Sequence, residues 1–124
     1  MRLKRNRLRI YRHCRKTLKK DNEGNSYSDY GPAVAFKAEL WPGGGKLQVE
    51  MYGARLPAIR NLRIDGKYSI VTNEKGVTVY AIPDGPTFTE GDGLCLYVLG
   101  DSEPDYKIIA IRPDRFLKLE AERL

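Results

Sequence analysis

Apolar and polar positions alternate with a period of two along several stretches of this chain. In residues 33–41, Val34, Phe36, Ala38 and Leu40 share one face while Lys37 and Glu39 share the other. That is the pattern of a half-buried strand. Residues 47–53 alternate again, with Leu47, Val49 and Met51 on one face, so a second strand is expected there. Between the two, Pro42-Gly43-Gly44-Gly45-Lys46 reads as the wide loop of a hairpin. Residues 54–61 contain Pro57 and suit a loop or one helical turn, and residues 62–65 suit a short strand ending at Gly66. Residues 68–72 and 77–82 flank Asn73-Glu74-Lys75-Gly76, a four-residue hairpin loop with glycine last.

The clearest stretch lies near the end of the chain. Residues 91–99 and 106–111 are apolar, β-branched and aromatic runs on either side of the turn formers Gly100-Asp101-Ser102-Glu103-Pro104-Asp105. A third run at residues 115–120 follows Arg112-Pro113-Asp114, which predicts a three-stranded antiparallel meander. At the other end, Leu8 and Ile10 alternate with Arg7, Arg9 and Tyr11, although Leu3, Arg7, Ile10, Cys14 and Leu18 also fall at helical spacing. A pliable first few residues and then a strand at 8–13 is the expectation. Asp21-Asn22-Glu23-Gly24-Asn25-Ser26 reads as a turn in which Gly24 or Asn25 takes positive φ. Short strands, frequent turn signals and the lack of a long helix predict an all-β fold. A small β-barrel or sandwich of antiparallel hairpins with long loops is expected.

A length of 124 residues is one domain's worth of chain, and 12 Gly with 7 Pro agree with many turns. We expect a single β-barrel domain over 1–124 with a basic N-terminal arm at about 1–20. No run approaches the ~18 apolar residues of a membrane span, and no apolar segment follows the basic start as a signal peptide requires. The two cysteines, Cys14 and Cys95, match no ligand spacing, and reduced thiols in a cytoplasmic setting are expected.

Charge divides the chain more sharply than composition does. The net charge is +6, yet residues 1–20 hold ten of the 22 basic residues and none of the 16 acids. The remainder is mildly acidic. The ten are Arg2, Lys4, Arg5, Arg7, Arg9, Arg12, Arg15, Lys16, Lys19 and Lys20. Such a leader meets a polyanion, of which nucleic acid is the commonest, or an acidic neighbouring subunit, or solvent.

Little else suggests chemistry. Gly43-Gly44-Gly45-Lys46 lacks the GxxxxGK[ST] spacing of a phosphate loop, and the segment after it is expected to be a strand where such a loop needs a helix. His13 and Cys14 are adjacent, and neighbours on a strand point to opposite faces, which does not suit a base and its thiol nucleophile. One histidine and two distant cysteines do not build a zinc site. Asp101, Glu103 and Asp105 crowd one loop, but Pro104 interrupts them and the EF-hand spacing is missing, so they read as solvated carboxylates. No catalytic residue, metal ligand, cofactor or small-molecule substrate is expected, and the chain reads as non-enzymatic. Eight tyrosines and strands with exposed edges suit a part that assembles with copies of itself or with partners.

Taken together, the layout resembles the head-closure, or head–tail connector, proteins of tailed bacteriophages and prophages, also called minor capsid proteins. The resemblance runs through the basic strand at 7–12, the turn at 21–25, the strand at 34–39 and the small-residue loop at 42–46. It is most telling at the end. Glu90-Gly91-Asp92 opens a strand, Pro104-Asp105-Tyr106-Lys107-Ile108-Ile109-Ala110-Ile111 takes the place of the family's Tyr-x-Ile-x-x-Ile strand, and residues 116–120 close the domain. Residues 54–87 depart from the family layout, with a longer hairpin at 66–82. The resemblance implies a β-barrel that forms a homo-oligomeric ring beneath the portal, extends the DNA channel, retains the packaged DNA and docks the tail. Portal or adaptor and tail-completion proteins are then the partners. The location is the virion neck, with the host cytoplasm before assembly. The alternative is a nucleic-acid-binding β-barrel of OB or SH3-like type that uses the basic arm.

Overall fold

In the computed structural model, the structure describes residues 8–20, 22–64, 66–83, 85–99 and 103–124, with backbone alone for 18–20 and 26–28. Among the described residues, eleven strands and one short α-helix are arranged around a closed antiparallel barrel. Around the barrel the order is β1 (Arg9–Cys14), β4 (Val34–Pro42), β5 (Ile59–Ile64), β11 (Leu117–Arg123), β10 (Tyr106–Pro113) and β9 (Gly93–Cys95), which returns to β1. Two smaller sheets project from it: the hairpin of β2 (Lys16–Lys20) with β3 (Ser26–Tyr30), and the three-stranded sheet of β6 (Ser69–Thr72), β7 (Thr78–Ala81) and β8 (Thr87–Phe88). The fold is therefore an all-β small barrel, closed rather than open as a sandwich.

Period-two alternation fills the barrel. Leu117, Leu119 and Ala121 of β11 point inward and are fully buried, while Lys118 and Glu122 face out. Leu62 and Ile64 of β5, Phe36 and Ala38 of β4, and Leu94 of β9 meet them in one cluster. Burying each such leucine, isoleucine or phenylalanine contributes about 2 kcal/mol. Phe88 of β8 reaches the same cluster and packs edge-on against Phe36, with ring centroids 5.1 Å apart.

One irregularity controls which side chains reach the outer surface. Along β10, Ile108 pairs with Ala121, but Ala110 then pairs with Glu120, so Ile109 is an extra residue in a β-bulge. An extra residue inverts the parity of everything after it. Ile111 consequently points inward, and Arg112, which unbroken alternation would bury, emerges on the outside beside Glu120.

Several expectations need correction. Residues 47–53 are not a strand: Lys46–Tyr52 form helix α1, and Gly53–Ala58 continue as a 3-10 helix. The polarity is inverted too, since Leu47, Val49 and Met51 are exposed while Gln48 is the buried residue. Strand β4 therefore pairs with β5, not with residues 47–53. The run at 91–99 yields only the three-residue strand β9, because the Asp105 carboxylate accepts the backbone N–H groups of Leu96 (2.9 Å) and Tyr97 (3.1 Å) and ends the ladder. Asp105 is thus a capping group and not a merely solvated carboxylate. The β6–β7 hairpin stands where it was expected, with Asn73 Oδ1 accepting from the N–H groups of Lys75 and Val77.

Candidate functional site

The basic leader is divided among different places. Arg2, Lys4, Arg5 and Arg7 lie outside the described residues. Arg9 and Arg12 belong to barrel strand β1, Arg9 exposed and Arg12 half-buried. Arg15 and Lys16 are exposed at the start of the β2–β3 hairpin, and Lys19 and Lys20 lie on the backbone of β2. Arg15 and Lys16 meet Lys75 from the β6–β7 turn across an open groove of about 800 Å³, which also includes Thr17, Asn73, Glu74 and Thr89. The sequence marked Arg15 and Lys16, but only folding brings Lys75 to them.

A buried pair fixes the wall of this groove. His13 Nε2 lies 2.7 Å from Asp92 Oδ2, and each residue is about 3% exposed. A carboxylate only accepts, so Nε2 carries the proton. Asp92 also accepts the backbone N–H of Lys16 (3.1 Å) and of Thr89 (3.0 Å). It therefore ties the start of β2 to the loop after β8. The His13 ring packs edge-on against Phe88 at 5.0 Å. Next to it, the thiols of Cys14 and Cys95 hydrogen-bond each other across β1 and β9. Burial raises both thiols, Cys95 to about 11 with the Cys14 thiol contributing, so both stay protonated at neutral pH. His13 is engaged by a carboxylate and Cys14 by another thiol, which leaves no activated nucleophile here.

The second region is the barrel's outer side beneath α1. Glu120 accepts from Arg112 Nε (3.0 Å) and Nη2 (3.3 Å), from Tyr52 Oη (2.5 Å) and from Gln48 Nε2 (3.1 Å). Burial pushes the Glu120 carboxyl up, but these hydrogen bonds and the Arg112 charge outweigh it, leaving the carboxyl below its ordinary range. Burial and the bond to Glu120 push the Tyr52 phenol up to about 12. Gln48 also exchanges hydrogen bonds with Asn61 at 2.6 and 3.0 Å and accepts from Gly44 N–H at 3.0 Å. A polar network therefore clamps α1 to β5 and β11, which is why Gln48 turns inward and the apolar residues of the helix turn out.

Beside this clamp, three cations occupy one row across the sheet. Lys118 of β11 stands directly opposite Arg63 of β5 on one side and Arg112 of β10 on the other. Like charges in facing positions destabilise a sheet unless something intervenes. Glu120 engages Arg112, and Asp114 holds Lys118 only through an exposed contact at 3.4 Å. Arg63 makes no ion pair among the described residues; its guanidinium lies 4.7 Å from the Trp41 ring and 5.8 Å from the Phe116 ring. Trp41, Leu47, Arg63 and Lys118 line an open cleft of about 450 Å³ above the network. No sequence signal marked this cleft, because its row depends on strand pairing and on the β10 bulge.

Among the described residues, no group of three or more His, Cys, Asp or Glu could hold a metal ion. No helix among them is long and apolar enough to cross a membrane. No protein-family model, curated protein or solved structure matches the chain.

Proposed function

We propose that this chain is a structural protein of a phage or prophage neck, a head-closure or head–tail joining subunit. It assembles as a ring below the portal, extends and closes the DNA channel, and docks the tail. In this reading it works by binding, not by catalysis, and resides in the virion after assembly from the host cytoplasm. One observation carries the proposal: elements outside the barrel core expose large apolar side chains. They are Leu47, Val49 and Met51 on α1, Ile70, Val71 and Val77 on the β6–β7 hairpin, and Tyr97, Val98 and Leu99 after β9. Clustered exposed apolar groups mark association surfaces. A ring needs two unlike surfaces on each subunit, and separate apolar elements on one barrel supply that requirement. The layout resemblance set out from the sequence supports the same reading.

The test is mass by light scattering, alone and mixed with a portal protein and a tail-completion protein from the same genome. A ring, or stable association with one of those partners, is the expected result. A monomer at every concentration that ignores both partners refutes the proposal.

A second reading, a nucleic-acid-binding barrel, is favoured by the groove in which Lys75 joins Arg15 and Lys16. It predicts binding to DNA that weakens steeply with salt and is lost when Arg15, Lys16 and Lys75 become alanine. Salt-independent binding, or none, removes it.

A further inference from the structure

We propose that the cleft beside α1 receives the Tyr97-Val98-Leu99 loop of a second copy of this chain, in a head-to-tail contact. The inference rests on the ring reading and names the two surfaces that ring would use.

The cleft has the makings of an interface centre. It combines an exposed apolar helix, through Leu47, with an aromatic ring and stacked cation, Trp41 and Arg63. Tryptophan and arginine are the side chains most enriched at the energetic centres of protein interfaces. Arg63 stacks on Trp41 with Phe116 alongside, so it is pre-ordered and loses little rotamer freedom on binding. Its edge N–H donors remain available for an incoming carboxylate or carbonyl.

The loop is the complementary piece. Leu99 is 76% exposed and Tyr97 62%, with Val98 between them at 40%. Tyr97 is held in position because its backbone N–H donates to Asp105 and its hydroxyl accepts from Arg60 Nε at 3.1 Å. The apolar tip is thus presented on a supported base. Glu103, exposed on the same connection, brings a negative charge toward a cleft that holds Arg63 and Lys118, the latter tied to Asp114 only by an exposed contact at 3.4 Å. Apolar tip matches apolar helix, and acid matches base.

The two surfaces lie apart on one chain, so they meet only between copies. The loop leaves the end of the barrel where β10 begins and β11 finishes, since Tyr106 pairs with Arg123. The cation row crosses the side of the barrel toward the other end of those strands, at Arg112 and Lys118. A loop at the end of one copy and a cleft on the side of the next, used in one direction, make a heterologous contact that closes into rings or runs on as filaments; a native assembly that stops at two copies overturns the head-to-tail arrangement.

Complementation tests this directly. Leu99→Glu removes the tip and leaves the cleft; Leu47→Glu together with Lys118→Glu spoils the cleft and leaves the tip. Leu99 and Leu47 are exposed and Lys118 faces outward, half-buried, so none of the three changes touches the barrel core. Each variant alone is expected to be monomeric, while an equal mixture forms a one-to-one dimer that grows no further, as one intact contact remains. Trp41, the chain's single tryptophan, reports occupancy of the cleft through its emission. Pairing Glu103→Lys with Lys118→Glu should restore at least about tenfold of the association lost with Lys118→Glu alone, the equivalent of one charge-assisted hydrogen bond.

Single variants that still assemble like the native chain, or a mixture that stays monomeric while the native chain assembles, overturn this contact and leave the ring reading standing. If the native chain assembles neither alone nor with a portal protein, the ring reading fails with it.

Discussion

Nε2 of His13 donates to Oδ2 of Asp92 across 2.7 Å, joining residues 79 positions apart in the sequence inside a buried seam. The aspartate serves three donors at once, the His13 ring and the N–H groups of Lys16 and Thr89. Removing it strands all three.

Asp92→Ala should therefore destabilise the domain by about 3 kcal/mol, as expected for breaking a buried charged hydrogen-bond centre. Urea unfolding measures it. Asp92→Asn keeps the size and some accepting capacity, so its loss is smaller. Equal stability of Asp92→Ala and the native protein would show that the carboxylate is not a structural tie.

Glu120 predicts a pH dependence. Its folded carboxyl is lowered, since hydrogen bonds from Arg112, Tyr52 and Gln48 outweigh the burial that raises it. A depressed carboxyl stabilises the fold above its unfolded value, about 4.3 for glutamate, and that stability disappears as pH falls through the lower folded value. Glu120→Gln should cost about 2 kcal/mol at neutral pH, and the gap to the native protein should close below pH ~4. A gap that stays constant with pH contradicts this account. Tyr52→Phe removes one bond of the same clamp and should cost about 1 kcal/mol, with α1 loosening first in hydrogen exchange.

The thiols make a kinetic prediction. Burial raises both Cys14 and Cys95, free thiols that share a hydrogen bond, so few thiolates exist at neutral pH. Labelling by a thiol reagent should be slow in the native protein and complete in urea. Fast stoichiometric labelling of the folded protein at pH 7 contradicts it.

Gly93 faces its neighbours too closely for any side chain. A Cβ there would come within 2.6 Å of Pro104 Cγ and 2.9 Å of the Tyr30 ring. Gly93→Ala must displace the β9–β10 connection or the β3 end, at a cost of about 2 kcal/mol for an overpacked site. A melting temperature unchanged from the native protein would show that Pro104 and Tyr30 yield freely.

What could be read from the sequence was what local pattern decides. The alternation of Val34, Phe36, Ala38 and Leu40 gave β4, and the turn at Asn73–Gly76 gave the β6–β7 hairpin, because each signal is contained within its own segment. Leu47, Val49 and Met51 misled for a tertiary reason. Their alternation suits a strand, yet Gln48 finds Asn61 and Glu120 as partners only when the segment is helical. Gly53, at φ 52°, then ends the helix without the penalty a side chain would meet. The run at 91–99 was cut short by Asp105, a side chain nine residues beyond Leu96 and eight beyond Tyr97. The candidate cleft was hidden most completely. Arg63, Lys118 and Arg112 become neighbours only through two strand pairings and a one-residue bulge, none of which leaves a periodic trace.

The barrel closes through its shortest member. Strand β9 has three residues, meeting β1 at three positions and β10 at only two. A cylinder with one narrow stave leans on what flanks it: the Gly91 N–H donates to the Ile108 carbonyl (2.7 Å), the Ile108 N–H to the Asp92 carbonyl (2.8 Å), and the Asp105 carboxylate pins Leu96 and Tyr97. The Tyr97–Leu99 tip is attached to that stave. Closure of the wall therefore rests on the bonds beside β9 more than on the strand itself, and the tip stands on those same bonds.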